Sequence, residues 1–305
     1  MIATLTLNPA IDYVQFLPKL GVGEVNRSSS ERLFPGGKGI NVSYVIKTLG
    51  GDTCAFGFVA GETGRMLDEM LKRQGILTSF VQTNGITRIN VKLMAEEETE
   101  INGSGGVVSE ENIEELFFKL EQLPAGSILA MGGSVPRSMP QDIYSQIIRR
   151  LKQKDIRVAL DTSGKALREA IKEEPYLIKP NHLELSELLG TKIETPEEVV
   201  RAAKELQAKG VKNILCSMGA DGAVFVGEDG TAIYGKAPKG TVINTVGAGD
   251  SLLAGFLFSY RGGANPKEAL KLGLACGSAT AFSEYLASKE LVEELMKQPV
   301  EITTI

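Results

Sequence analysis

The sequence predicts an α/β fold in which a mostly parallel β-sheet is flanked by helices and a second, smaller sheet forms a lid. Short β-branched runs alternate with longer amphipathic stretches along most of the chain, the pattern that builds βαβ units. The longer stretches carry apolar residues at helical spacing. Two segments in the first third break this alternation and read as antiparallel strands of a separate sheet.

Met1-Ile2-Ala3-Thr4-Leu5-Thr6-Leu7 opens the chain as a strand; without a basic stretch or a long apolar run it does not read as a signal peptide. The lid segments follow at about 12–34 and 87–101, the second showing the alternation Ile89, Val91, Leu93 and then Thr99, Ile101. Ile128–Met131, Arg157–Leu160 and Asn213–Ser217 are the clearest later strands. Between them Gln141–Lys152 and Pro196–Lys209 read as helices, the latter with proline in its first turn. No internal repeat, low-complexity segment or Pro- or Ser-rich linker interrupts the chain, so residues 1–305 are expected to form one domain that includes the lid.

At 305 residues, 43% hydrophobic and 23% charged, the composition is that of a globular protein able to bury a large core. The net charge of −5 offers no basic field for nucleic acid, so an anionic ligand must be held by local groups. Cys54, Cys216 and Cys276 are odd in number and far apart, which fits buried thiols and neither a disulfide framework nor a metal knuckle. No apolar run is long enough to span a bilayer. A cytoplasmic protein without nucleic-acid or membrane partners is expected.

Two glycine-bearing segments carry the chemical signal. Asn244-Thr245-Val246-Gly247-Ala248-Gly249-Asp250-Ser251 runs straight into the apolar helical stretch Leu252–Tyr260. A small-residue turn feeding a helix leaves N–H groups pointing outward at the positive end of the helix dipole, which suits a phosphoryl group. The residues alone equally allow a tight turn with Asp250 as an ordinary N-cap. Pro35-Gly36-Gly37-Lys38-Gly39-Ile40-Asn41-Val42 lets backbone approach a ligand closely, with Asn41 able to donate and accept and Lys38 supplying charge. It is not a Walker A loop, because the Gly-Lys pair lacks the following Ser or Thr. A nicotinamide-binding fold is also set aside, since the first strand runs into Asn8-Pro9-Ala10 and not GxGxxG.

Together these segments resemble the C-terminal and N-terminal signatures of the ribokinase-like (PfkB) carbohydrate kinases, with agreement from Leu5 to about Thr280. Asn244 stands where the usual D-T-x-G-A-G-D form has its first Asp, as in the phosphofructokinase branch. The resemblance implies a ribokinase-like three-layer sandwich with a β-sheet lid, ATP and Mg2+ as cofactors, and a homodimer joined through the lid. It makes Asp250 the catalytic base and Gly247, Ala248 and Gly249 the anion hole. It places the sugar phosphate against Asp12, Gly36, Gly37, Asn41 and Ser134, with Arg88 on its phosphate and Lys38 and Arg27 as weaker candidates for that phosphate. Lys179, Asn181, Ser217, Gly219, Gly222, Thr245 and Gly249 would follow the nucleotide, with Cys276 and Ser278 toward the adenine. Asn181 and Glu184, three residues apart on one helix face, would order a hydrated magnesium ion, with His182 between them facing elsewhere.

Within the family, Val25-Asn26-Arg27-Ser28-Ser29, Lys38 and Thr87–Leu93 look most like members that phosphorylate fructose 1-phosphate at its 6-hydroxyl, giving fructose 1,6-bisphosphate and ADP. Tagatose 6-phosphate is the next candidate substrate and fructose 6-phosphate another, because nothing in the residues fixes which end of the ketose carries phosphate. A non-catalytic sugar-phosphate sensor on the same fold is the alternative from a different class. Its mark would be loss of the base or of the anion-hole glycines, and Asp250, Gly247 and Gly249 are all present.

Overall fold

A computed structural model describes residues 1–305. The strands are β1 (Ile2–Thr6), β2 (Ala10–Phe16), β3 (Ser30–Gly36), β4 (Thr53–Ala60), β5 (Leu77–Thr83), β6 (Arg88–Met94) and β7 (Glu98–Asn102). They continue with β8 (Ile128–Gly132), β9 (Arg157–Asp161), β10 (Leu177–Ile178), β11 (Asn213–Ser217), β12 (Ala223–Val226), β13 (Ala232–Gly235) and β14 (Ile302–Thr304). The helices are α1 (Lys38–Thr48), α2 (Gly61–Arg73), α3 (Glu110–Glu121), α4 (Ile143–Leu151) and α5 (Gly164–Ile171). Then come α6 (His182–Leu189), α7 (Pro196–Gln207), α8 (Ala248–Arg261), α9 (Pro266–Ala281) and α10 (Lys289–Leu295).

The main sheet has ten strands in the order β14-β13-β12-β11-β10-β9-β8-β1-β4-β5. From β5 to β11 every pairing is parallel, and β12 to β14 close that end with antiparallel pairs. All eight residues of β4 are buried, as expected of a strand covered on both faces. Side chains of β8 alternate between the two cores: Leu129 and Met131 pack with α3, α4, α5 and α7, whereas Ile128 and Ala130 pack with α1, α8 and α9. The result is a three-layer helix–sheet–helix sandwich. The expected helix from Pro196 is present, with Thr195 and Glu198 forming a capping box and proline in the first turn. No helix is long and apolar enough to cross a membrane.

The lid is a separate four-stranded sheet, β3-β2-β6-β7, built from the two expected segments. Its pairings are antiparallel except for β2 with β6, which run parallel because the chain passes through the main sheet between them. Phe34 stacks on Tyr285 with ring centroids 4.1 Å apart, and the Tyr285 hydroxyl donates to the Pro35 carbonyl at 3.0 Å. Arg32 and Glu284 pair across the same junction. These contacts hang the lid over the edge where the parallel strands end.

Candidate active site

At that edge lies a cavity of about 580 Å³ whose walls are almost wholly polar. Carboxyl ends of parallel strands are where open α/β sheets bind ligands, because loops there diverge and helix N-termini point inward. Thr6, Gly132, Asp161 and Ser217 each end a strand in its wall.

Gly37 caps α1 at φ +128°, a conformation that favours glycine, and a Cβ there would sit 2.5 Å from the Thr6 methyl. This close approach brings Lys38 and, one turn on, Asn41 into the cavity. Gly247 caps α8 in the left-handed region, and a Cβ there would lie 2.7 Å from Leu286. Asn244 accepts the Val246 N–H at 2.9 Å, a turn bond that needs only a side-chain oxygen, so asparagine serves where aspartate would. The turn leaves the N–H groups of Gly247, Gly249 and Asp250 without an acceptor. The Ala248 N–H instead donates to the Thr245 carbonyl at 3.2 Å, so of the expected positions Gly247 and Gly249 present open N–H groups while Ala248 does not, and Asp250 adds a third.

Asp250, in the first turn of α8, is 6% exposed and accepts from Asn41 Nδ2 at 2.8 Å. Burial first, and then the charge of Asp161, push its carboxyl up to about 6, against the pull of Lys38, Asn41 and Lys179. Asp161 at the end of β9 bridges two cations, Lys38 Nζ at 2.7 Å and Lys179 Nζ at 3.1 Å. Its burial opposes ionisation, yet the two ammonium groups outweigh that and hold its carboxyl below the usual range. For Lys38 burial is likewise overcome, by Asp161 and Asp250, and its ammonium is held protonated.

The lid supplies the opposite wall. Asp12 accepts from Asn90 Nδ2 at 2.8 Å and lies 3.6 Å from Lys92 Nζ, which is itself 3.4 Å from Glu100. Arg88 donates through Nε to the Asn8 carbonyl at 3.1 Å, and its remaining donors meet no carboxylate. Among the four basic residues of the wall it alone has no acidic partner, since Lys38, Lys92 and Lys179 are all paired.

The expected residues Asp12, Gly37, Lys38, Asn41, Arg88, Ser134, Lys179, Asn181, Glu184, Ser217, Gly247, Gly249 and Asp250 all line this cavity. Gly36 lies beneath it, where a Cβ would crowd Asp12 at 2.7 Å. Gly219 and Gly222 occupy the turn that follows Ser217, both at positive φ. Thr245 faces a neighbouring, more apolar cleft under the lid. Arg27 sits apart, beside Gln15 and Leu93 in a different depression, so within one chain it lies outside this cavity. Cys276 is 0% exposed, its sulfur 2.7 Å from where a Gly255 Cβ would lie, and Ser278 is buried on the same helix. Helix packing of α9 on α8 consumes Cys276, which corrects its expected placement toward a nucleotide base; Ser278, 8% exposed, has no such contact with α8.

Asn181 and Glu184 form a reciprocal capping box at the start of α6, each side chain bonding the other's N–H at 2.8 Å. Their spacing therefore has a structural use, and of their side-chain oxygens only Glu184 Oε1 is left without a bond. No cluster of three or more His, Cys, Asp or Glu could hold a bare metal ion. Asp161, Asn90, Lys92 and Glu100 are wall residues that the motifs do not single out. For Asp161 a signal existed, an acid at the end of a buried strand.

The pfkB family carbohydrate kinases match residues 5–291 of the chain. It is 42% identical to a 1-phosphofructokinase of Bacillus subtilis, covering 100% of both proteins. It is 37% identical to a D-tagatose-1-phosphate kinase of Bacillus licheniformis over 99% of each. The phosphofructokinase-2 of Escherichia coli in complex with fructose-6-phosphate superposes with a TM-score of 0.90 at 29% identity, over 97% of both chains. An acid at a helix N-terminus with open N–H groups, a lid carrying an unpaired guanidinium and a family match spanning both agree, and the chain belongs to the pfkB family of carbohydrate kinases.

Proposed function

We propose that the protein transfers the γ-phosphoryl group of ATP to the 6-hydroxyl of fructose 1-phosphate. The observation that carries this reading is the pairing of Asp250 with Arg88 across one cavity, a buried carboxylate on one wall and a free guanidinium on the other. Full-length identity to a 1-phosphofructokinase supports the choice of ketose phosphate. The second reading is D-tagatose 1-phosphate, favoured by the Bacillus licheniformis relative; it displaces tagatose 6-phosphate as the nearest competitor.

In this account Arg88 holds the substrate phosphate and Asp12, fixed by Asn90 and Lys92, accepts from sugar hydroxyls. Asp250 takes the proton of the 6-hydroxyl as its oxygen attacks the γ-phosphorus and the bond to ADP breaks. Loose transition states of this kind reward alignment of the nucleophile more than strong basicity. The N–H groups of Gly247, Gly249 and Asp250 and the ammonium of Lys179 face the charge that develops. Magnesium arriving with the nucleotide would neutralise phosphate charge, and Glu184 Oε1 could hold it through water. Incubation with ATP, magnesium and fructose 1-phosphate should yield a product with two phosphomonoester signals by 31P NMR. Release of inorganic phosphate without a new sugar ester would refute transfer.

The outer face of the lid supports a dimer. Leu33, Tyr13, Val91 and Ile101 stand in register across its four strands, and Leu33 and Ile101 are 43% and 59% exposed. Ile101→Glu should shift the mass seen by light scattering from two chains to one, and a wild-type monomer would contradict lid pairing.

A further inference from the structure

We propose that Asp161 is a positioning residue for phosphoryl transfer, its buried carboxylate clamping Lys38 and Lys179 so that both ammonium groups face the space before Asp250. This rests on the transfer reading above.

The two lysines come from unrelated parts of the chain, Lys38 from the first turn of α1 and Lys179 from the residue after β10. Asp161 Oδ1 accepts from Lys38 Nζ at 2.7 Å, and Oδ2, without a hydrogen-bond partner, forms an ion pair with Lys179 Nζ at 3.1 Å; the side chain is 3% exposed. Lys179 is 5% exposed, and its Nζ lies 3.2 Å from where a Cβ on Gly249 would be, beside the opening turn of α8. An ammonium is misplaced there, because the N-terminal end of a helix carries positive charge and burial penalises an unpaired ion. Asp161 makes the placement tolerable in the empty site. An arriving phosphoryl group would then meet two cations and open N–H groups already arranged, with no reorganisation left to make.

The groups facing the cluster from every side bear this out. Lys38 comes from α1, Lys179 follows β10, Glu184 lies on α6 and Asp250 on α8. Tyr144 of α4 and Cys216 of β11 complete the surroundings and stay neutral, since burial pushes the phenol far up and the thiol to about 12. Asp161 is thus the negative neighbour that raises Asp250, and Lys38 the positive one that lowers it.

The test is the pH dependence of Asp250 in two variants that move it in opposite directions. In the wild type kcat/KM should fall below a pH of about 6, as Asp250 becomes protonated. Asp161→Asn removes the neighbouring negative charge, so the acid limb should move to lower pH by about tenfold in proton concentration. Its kcat should drop by on the order of tenfold to hundredfold through the loosened lysines. Lys38→Met should move the limb to higher pH. The titration of Asp250 is read in parallel by 13C NMR of the free protein, assigned by its loss in Asp250→Asn. That signal needs no turnover, so inactivity on every ketose phosphate would overturn the transfer reading and leave this test readable. If Asp161→Asn does not fold, Asp161→Glu, which keeps the charge and displaces the carboxylate from the two lysines, decides by its kcat. A kcat unchanged in a folded Asp161 variant overturns the proposal, because loosened lysines must slow transfer, whereas the shift of Asp250 reports only the loss of a neighbouring charge.

Discussion

Asp250→Asn is expected to lower kcat by about 10²- to 10⁴-fold, the usual contribution of a positioned general base, while leaving KM for the ketose phosphate within about threefold. The substitution keeps shape and keeps a side-chain oxygen for the Asn41 bond, which now measures 2.8 Å. It removes the acceptor for the hydroxyl proton and the negative charge facing Lys38 and Lys179. The open N–H groups of the α8 turn are backbone and survive the change. Stopped-time ADP release under saturating substrates measures the loss, and undiminished turnover would remove Asp250 from the chemistry.

The second large effect is expected at Arg88. Its Nε bond to Asn8 fixes the guanidinium plane while the other donors point into the cavity unclaimed. Burial draws its basicity down and Asp12 pulls it back up, which leaves a half-buried charge waiting for an anion. Each charge-assisted bond to phosphate is worth about 1.5–3 kcal/mol, so Arg88→Ala should raise KM for the phosphosugar about tenfold to hundredfold. KM for ATP should hold, because Arg88 lies on the lid wall and Asp250 and the α8 turn on the other. Arg88→Lys should recover only part of the loss, since an ammonium cannot grip two phosphate oxygens in one plane. An unchanged KM in Arg88→Ala would place the substrate phosphate elsewhere.

Local signals and long-range ones separate cleanly in this chain. The lid was legible because Ile89, Val91, Leu93 and Ile101 alternate at strand period, and they occupy one face of β6 and β7. The α8 turn was legible because glycine, small residues and an acid sit in consecutive positions just before an apolar helix. Which N–H groups stay open was not, since the Ala248 bond to Thr245 depends on how tightly the turn winds. Asn181 and Glu184 show the opposite ambiguity: the spacing that suits a hydrated ion is also that of a capping box. Cys276 could not be assigned a direction from sequence, because α9 buries small residues around much of its circumference against α8 and the sheet. For Asp161 the sequence shows an acid at the end of a buried strand, but its partners came from topology, when β9 took its place between β8 and β10 and two distant lysines converged on it.

The central claim is transfer from ATP to fructose 1-phosphate, and one set of initial rates tests it most directly. ADP release is measured with magnesium and ATP against fructose 1-phosphate, tagatose 1-phosphate, tagatose 6-phosphate, fructose 6-phosphate and fructose. The account predicts kcat/KM for fructose 1-phosphate at least about tenfold above the others, with fructose lowest for want of a phosphate to meet Arg88. Preference for tagatose 1-phosphate or for either 6-phosphate would contradict the substrate, and no ADP release with any of the five sugars would contradict catalysis itself.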